Sequence, residues 1–232
     1  ITQNKMTVTR LFNGTGFFDV SAENTFPDPF HEIIEFGILS SQNNPFDPME
    51  KAIINIGDKY LQDTEHIHAD WIMEKEYPLS KELLAMSRVF SNTGKDERVI
   101  AAKGAPEAIF DLCHLPVDKI AVYKKAIEEM ASSGLRVLGV CRSKLNHKNL
   151  PEEQHDFDFE FIGLIGLSDP IRENVPQAVA ECHKAGIRVI MITGDYPVTA
   201  MNIGKEIGIE NPELCITGTE LQEMSEDELC ER

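Results

Sequence analysis

The stretch "RVIMITGDYPVTAMNIG", Arg188 to Gly204, reads as a buried strand, a Thr-Gly-Asp turn and then a helix. An unbroken apolar run at 189–192 fits the strand, and Pro197 suits the first turn of the helix. Many α/β proteins hold phosphate at such a turn. Thr193 can donate its hydroxyl to a phosphoryl oxygen, and the unpaired N–H groups of the next helix start favour an anion. A capped αβ turn without any ligand reads equally well from these residues alone.

The same alternation extends on both sides. A helix is expected at 175–184, a strand at 187–192, a helix at 197–207, a short strand near Cys215 and acidic helices after it. Strand and helix in turn predict a doubly wound parallel sheet. Upstream of about Leu150 the pattern differs. A strand at 5–12 leads into a turn at Gly14 and Gly16, and "PFHEIIEFGILSSQ" has near-helical spacing. "DPMEKAIINIGDKYLQ" predicts a second helix, with Asp47 as its cap and Pro48 at its first position. Strands are expected at 71–77, 84–90 and 98–103, the last two joined by the hairpin signal "SNTGKDE". Helices at 106–113 and 118–132 and a strand in "GLRVLGVCRS" complete this part. The chain therefore holds two architectures, the first with hairpin character.

Composition narrows the functional classes. A chain of 232 residues with 42% hydrophobic residues can build one or two cored domains. A net charge of -17 argues against a nucleic-acid surface. From Lys205 to Arg232 nine residues are acidic and two basic, which reads as a solvated helical face or as a cation- or partner-binding tail. The five scattered cysteines, with no Cys-x-x-Cys pair, fit reduced thiols rather than a disulfide framework. His66 and His68 form a His-x-His pair with no third ligand nearby in sequence. A surface strand is the expectation there, ahead of a metal site. No apolar run reaches the ~18 residues of a membrane span. The start, "ITQNKMTVTR", is not a signal peptide and reads as if cut from a longer chain.

No P-loop and no Gly-x-Gly-x-x-Gly turn is present, so a bound nucleotide would be held another way. In "VIAAKGAPEAIF" an apolar strand ends at Lys103. Gly104 there allows close approach of a ligand to the backbone. The alternative is a snorkelling strand-end lysine. In "GLRVLGV", Arg136 and Leu138 share one strand face. An arginine on an apolar strand needs a carboxylate or phosphate, or a structural ion pair. In "LSDPIREN", Asp169 and Arg172 flank Pro170, as a capped interdomain turn or a hinge facing phosphate or Mg²⁺.

The motifs "KGAPE", "GLRVL", "DPIRENV" and "MITGD", in this order and spacing, resemble the cytosolic part of P-type cation-transporting ATPases. "ITQNKMTV" is similar to the stretch that follows that family's Asp-Lys-Thr-Gly-Thr phosphorylation motif. The resemblance covers essentially the whole chain. It implies an α/β fold in which an α+β nucleotide-binding domain, a mainly antiparallel sheet flanked by helices, is inserted into a partial haloacid-dehalogenase-like Rossmannoid domain. Residues 5–168 would be the nucleotide-binding domain, and 1–4 and 169–232 the partial phosphorylation domain.

The resemblance also implies roles. Glu50, Leu79, Lys103 and Gly104 would line the adenine site, Arg136 would reach the phosphates, and Leu138 would pack beneath. Asp169 and Arg172 would face nucleotide phosphate at the hinge. Thr193, Gly194 and Asp195 would support the phosphoryl group and Mg²⁺. ATP with Mg²⁺ is the implied ligand. The implied partners are the remaining phosphorylation, actuator and transmembrane domains of an ATP-driven pump, with no nucleic acid and no membrane contact by this segment itself. The implied location is the cytosolic portion of an integral membrane protein, and calcium is the expected ion. No His-Pro pair, the mark of heavy-metal pumps, occurs.

Two departures bear on affinity. Relatives often carry an aromatic where this chain has Leu79 and a lysine where it has Leu84. An aromatic face stacks on adenine, whereas leucine only packs. ATP binding near millimolar, about -4 kcal/mol, is expected. The phosphorylated Asp and the family's later Gly-Asp-Gly-x-Asn-Asp run are not in these 232 residues, so nucleotide binding without aspartyl-phosphate formation is expected. The competing readings are a dehalogenase-like phosphatase and a non-catalytic acidic interaction domain.

Overall fold

In the strand Glu97–Gly104, successive side chains go to opposite faces of a sheet, and both faces are covered. Val99 and Ala101 join one apolar cluster, while Ile100 and Ala102 join another. This strand lies near the middle of a seven-stranded sheet whose neighbours are all antiparallel. The computed structural model describes residues 1–20, 25–62, 64–68, 70–92, 97–146, 149–194, 197–225 and 228.

In chain order the strands are β1 (Thr7–Phe12), β2 (Phe17–Asp19), β3 (Trp71–Tyr77), β4 (Ala85–Asn92), β5 (Glu97–Gly104), β6 (Arg136–Asn146) and β7 (Glu160–Ser168). They stand side by side as β2-β1-β7-β6-β5-β4-β3. The helices are α1 (His31–Leu39), α2 (Pro48–Tyr60), α3 (Pro106–Leu112), α4 (Val117–Ser132), α5 (Val175–Lys184), α6 (Pro197–Ile207) and α7 (Gly218–Glu223). α1 and α2 cover one face through Ile33, Ile34, Ile53 and Ile56, against Val140, Ile165 and Leu167 of the sheet. α3 and α4 cover the other, with Ile109 and Leu112 in one cluster and Ile127 and Met130 in a second.

Local chemistry sets the ends of these elements. Asp47 caps α2, its carboxylate accepting from the N–H groups of Met49 at 2.7 Å and Glu50 at 3.2 Å. Gly134 ends α4 with φ +76°, and Leu135 N–H then reaches back to the Met130 carbonyl at 3.2 Å. The expected strands at 71–77, 84–90 and 98–103 form with small changes at their ends. The central residues of the expected hairpin turn, 93–96, lie outside the described residues.

β7 returns beside β1 and brings the start of the chain against the segment after β7. Gln3 N–H donates to the Pro170 carbonyl at 2.9 Å, and Arg172 N–H to the Ile1 carbonyl at 3.1 Å. Beyond this point the sequence reading needs correction. Residues 187–192 form no strand, and Ile187, Ile190 and Ile192 are exposed. A strand needs a neighbour for its N–H and C=O groups, and no described strand pairs with this segment. No strand forms near Cys215 either, so among the described residues the alternation produces no parallel sheet. The helices at 175–184 and 197–207 do form. α6 docks on the end of α4, where Asn202 donates to the Ala131 and Ser132 carbonyls at 3.0 and 2.7 Å.

Candidate functional site

At the end of β5 the strand carries Lys103 under the loop that joins α1 to α2. Lys103 is 5% exposed. A buried ammonium requires compensation, and three groups provide it. Nζ donates to Glu50 Oε1 at 2.7 Å and to the Ser40 carbonyl at 2.5 Å, and it approaches Met86 Sδ at 3.6 Å. Burial pushes the Lys103 ammonium below its usual pKa, and the Glu50 carboxylate opposes that push.

Glu50 is equally buried. Its second oxygen accepts the Gln42 N–H at 3.2 Å, so one carboxylate holds both the lysine and the α1–α2 loop. The Asp-Pro cap fixes the start of α2 and thereby sets where Glu50 enters the site. A helix capped at Asp47 carries Glu50 in its first turn, facing the sheet.

Arg88 of β4 completes the loop's anchoring. It lies 5% exposed on the same face as Lys103, across from Ala101. Its guanidinium pairs with Glu76 at 3.1 Å, reaches Asn43 Oδ1 at 3.3 Å and also bonds the Ser41 carbonyl. The sequence reading did not single out Arg88. The signal was there, an arginine between Met86 and Phe90 on an apolar strand, the same argument that drew attention to Arg136.

Gly104 follows Lys103 in a constricted place. A Cβ there would lie 2.3 Å from the Leu84 carbonyl oxygen, and Ala105 N–H bonds that same oxygen at 2.8 Å. The absence of a side chain thus lets β5 and the start of β4 close together. Leu79 and Leu84 sit before β4, 59% and 51% exposed, on an open rim beside this buried core. Leu138 lies on β6 two residues from Val140, the partner of Lys103, and packs against the α1–α2 cluster. Arg136 begins β6 opposite Leu167. Glu50, Lys103, Gly104 and Leu138 therefore share one end of the sheet, and Leu79 and Leu84 border it.

The remaining expected residues lie elsewhere. Asp169 accepts from Lys5 N–H at 3.3 Å, and Arg172 Nε donates to the Thr2 carbonyl at 2.7 Å, so both tie the two chain crossings together. Thr193 and Gly194 are exposed between α5 and α6. Asp195 lies outside the described residues.

His66 and His68 are not on a strand, which corrects the expectation for them. Both imidazoles bond the buried Glu35 carboxylate of α1, at 2.5 and 2.7 Å, and His68 stacks on Trp71. Among the described residues no group of three or more His, Cys, Asp or Glu side chains is placed to hold a metal ion. A cleft of about 350 Å³ opens at the far end of β6, between Arg142 and Glu160. Arg142 is already paired with Glu32 and Glu160 at 2.5 and 3.0 Å, which leaves that cleft no unpaired guanidinium for a ligand.

A family model described as "P-type ATPase, cytoplasmic domain N" matches residues 42–174, the part that holds the Lys103 site. A calcium-transporting ATPase of Listeria monocytogenes is 32% identical over 99% of this chain and 28% of its own length. Calcium-transporting ATPase 1 of Bacillus cereus is 31% identical over 100% of this chain and 28% of its own length. The alpha subunit of a sodium/potassium-transporting ATPase from Hydra vulgaris is 33% identical over 70% of this chain and 18% of its own length. The chain thus spans less than a third of the curated relatives it matches.

Proposed function

The chain belongs to the P-type ATPase family, through its cytoplasmic domain N, and from that premise we propose that it binds ATP at the Lys103 end of the sheet. The observation that carries the reading is the buried Lys103–Glu50 pair under the α1–α2 loop. A pair that costs several kcal/mol to desolvate is weak evidence for stability. Here it stands beside a glycine with no room for a side chain and an apolar rim of Leu79 and Leu84. A lysine, a carboxylate and an apolar edge match the needs of an adenine ring, which offers ring nitrogens, an exocyclic amine and two apolar faces.

The residues present fit the nucleotide in kind. Lys103 has one proton that meets only Met86 Sδ, at 3.6 Å, and this is the donor it would turn to a ring nitrogen. Glu50 holds that ammonium in place and is an acceptor for the exocyclic amine. Leu138 and Leu79 offer apolar surface. Arg136 supplies positive charge for phosphate. Mg²⁺ would arrive with the triphosphate, offsetting part of its negative charge.

Residues 1–4 and 169–232 would belong to a haloacid-dehalogenase-like phosphorylation domain, with 5–168 inserted in it. The short bridge of Thr2 with Ile171 supports that division, since it brings the two crossings together. The parent protein would be an ATP-driven cation pump, with calcium the expected ion. The 232 residues contain no Asp-Lys-Thr-Gly-Thr run, and this chain alone would bind ATP without forming an aspartyl phosphate. Acid-stable labelling from γ-labelled ATP would refute that part.

Chemical-shift mapping with Mg·ATP tests the site. The amides of Glu50, Lys103, Gly104 and Leu138 are expected to move together. Movement confined to the cleft at Arg142 would overturn the assignment, and no binding at all would favour an acidic interaction domain.

A further inference from the structure

Ser40 and Ser41, the two residues after α1, are buried. Their hydroxyls turn back to the Phe36 and Gly37 carbonyls, at 2.7 Å each. Their own carbonyls lie at the negative end of the helix and need donors from elsewhere. Cations of the sheet supply them. Lys103 bonds the Ser40 carbonyl at 2.5 Å, and Arg88 bonds the Ser41 carbonyl.

The hold continues along the α1–α2 loop. Gln42 N–H donates to Glu50 at 3.2 Å, and the Asn43 side-chain oxygen accepts from Arg88 at 3.3 Å. Successive residues are thus gripped in alternation, Ser40 and Gln42 by the Lys103–Glu50 pair, Ser41 and Asn43 by Arg88. The two grips differ in what else they do. Lys103 and Glu50 are the groups that would meet the adenine. Arg88 stands one strand pair further along, across from Ala101, while Met86 faces Lys103. Arg88 makes both loop bonds through Nη1, and its Nε pairs with Glu76 of β3 at 3.1 Å. The arginine is therefore fixed by the sheet and free of any duty toward the ligand. A shift of about 1 Å in residues 40–43 would carry the Ser40 carbonyl to the edge of hydrogen-bond range from Lys103 and let the ammonium turn.

We propose, resting on the ATP reading above, that Arg88 is a positioning residue for the nucleotide. By clamping Ser41 and Asn43 it keeps the Ser40 carbonyl and the Gln42 N–H where they orient Lys103 and Glu50, without touching the ligand itself.

The test compares Arg88→Met, Arg88→Lys and Arg98→Met with the wild-type chain. Mg·ATP titration and the ammonium nitrogen resonance of Lys103 are both read on folded protein. Arg88→Met is expected to weaken Mg·ATP about tenfold, the worth of a buried charged hydrogen bond, and to shift the Lys103 resonance before any nucleotide is added. Arg88→Lys keeps a cation for the Ser41 carbonyl and should return the affinity to within about threefold of wild type, with a smaller shift. Should Arg88→Met fail to fold, Arg88→Lys decides by the same two readings. Arg98→Met breaks another pair of the sheet, with Glu74, at the opposite end of β5, and should change only the melting temperature. A purely structural Arg88 would behave like Arg98, with a lower melting temperature but unchanged affinity and an unmoved Lys103 resonance, and that result overturns the proposal. A wild type that does not bind Mg·ATP overturns the ATP reading instead, so the two fail separately.

Discussion

Ile165 and Ile190 each sit in an apolar run, yet only one of them is in a sheet. Ile165 lies on β7 between two hydrogen-bonded neighbours and is fully buried. Ile190 lies in the segment 187–192 with no strand beside it and is 70% exposed. The difference is partnership, not composition. Apolar content prepares a segment for burial, but a strand exists only where another backbone accepts its hydrogen bonds. The same contrast holds for charge. Lys103 and Arg88 are buried in the sheet region because Glu50 and Glu76 meet them, while the acidic α7 buries no side chain.

The largest effect should come from breaking that contrast directly. Ile165→Ala is expected to cost about 4 kcal/mol in urea unfolding, whereas Ile190→Ala should stay within about 0.5 kcal/mol. Equal losses would show that 187–192 is packed in solution. Next, Glu50→Gln removes the charge that compensates Lys103 and should cost about 3 kcal/mol, measured by the same unfolding midpoint. A near-neutral result would mean that Lys103 reaches water. Gly104→Ala should cost about 2 kcal/mol, because its Cβ would press on the Leu84 carbonyl and part β4 from β5. A wild-type midpoint would show that the two strands yield there.

The smallest effect belongs to the partly exposed pair Glu74–Arg98, 2.7 Å apart. Bonding to Arg98 holds the Glu74 carboxyl below its usual pKa. A depressed carboxylate contributes stability above the unfolded pKa near 4.3 and loses it as pH falls through the folded value. Glu74→Gln should therefore lower stability by about 0.5 kcal/mol at pH 7 and by nothing measurable once both forms are protonated. An undiminished difference at acid pH would contradict this.

Local signals made much of the sheet region legible in the sequence. The Asp47–Pro48 cap located α2, the hairpin signal at 91–97 located β4 and β5, and the small residues after Lys103 marked the end of β5. What escaped depended on distant partners. β2 has only three residues and exists because β1 lies beside it. The purpose of His66 and His68 is a carboxylate on α1, some thirty positions away. The place of Arg88 under the α1–α2 loop follows from tertiary contacts that no local spacing encodes. For the site, Lys103 and Glu50 were each suspected separately, and their direct pairing emerged only from the fold.

The central claim is that the buried Lys103–Glu50 end of the sheet is where this chain takes ATP. Calorimetric titration of Mg·ATP into the folded wild type and into Lys103→Met tests it most directly. The account predicts saturable wild-type binding with a Kd near millimolar and at least a tenfold loss in Lys103→Met, about 1.4 kcal/mol, with the fold retained by circular dichroism. Equal affinity in the two proteins would contradict it.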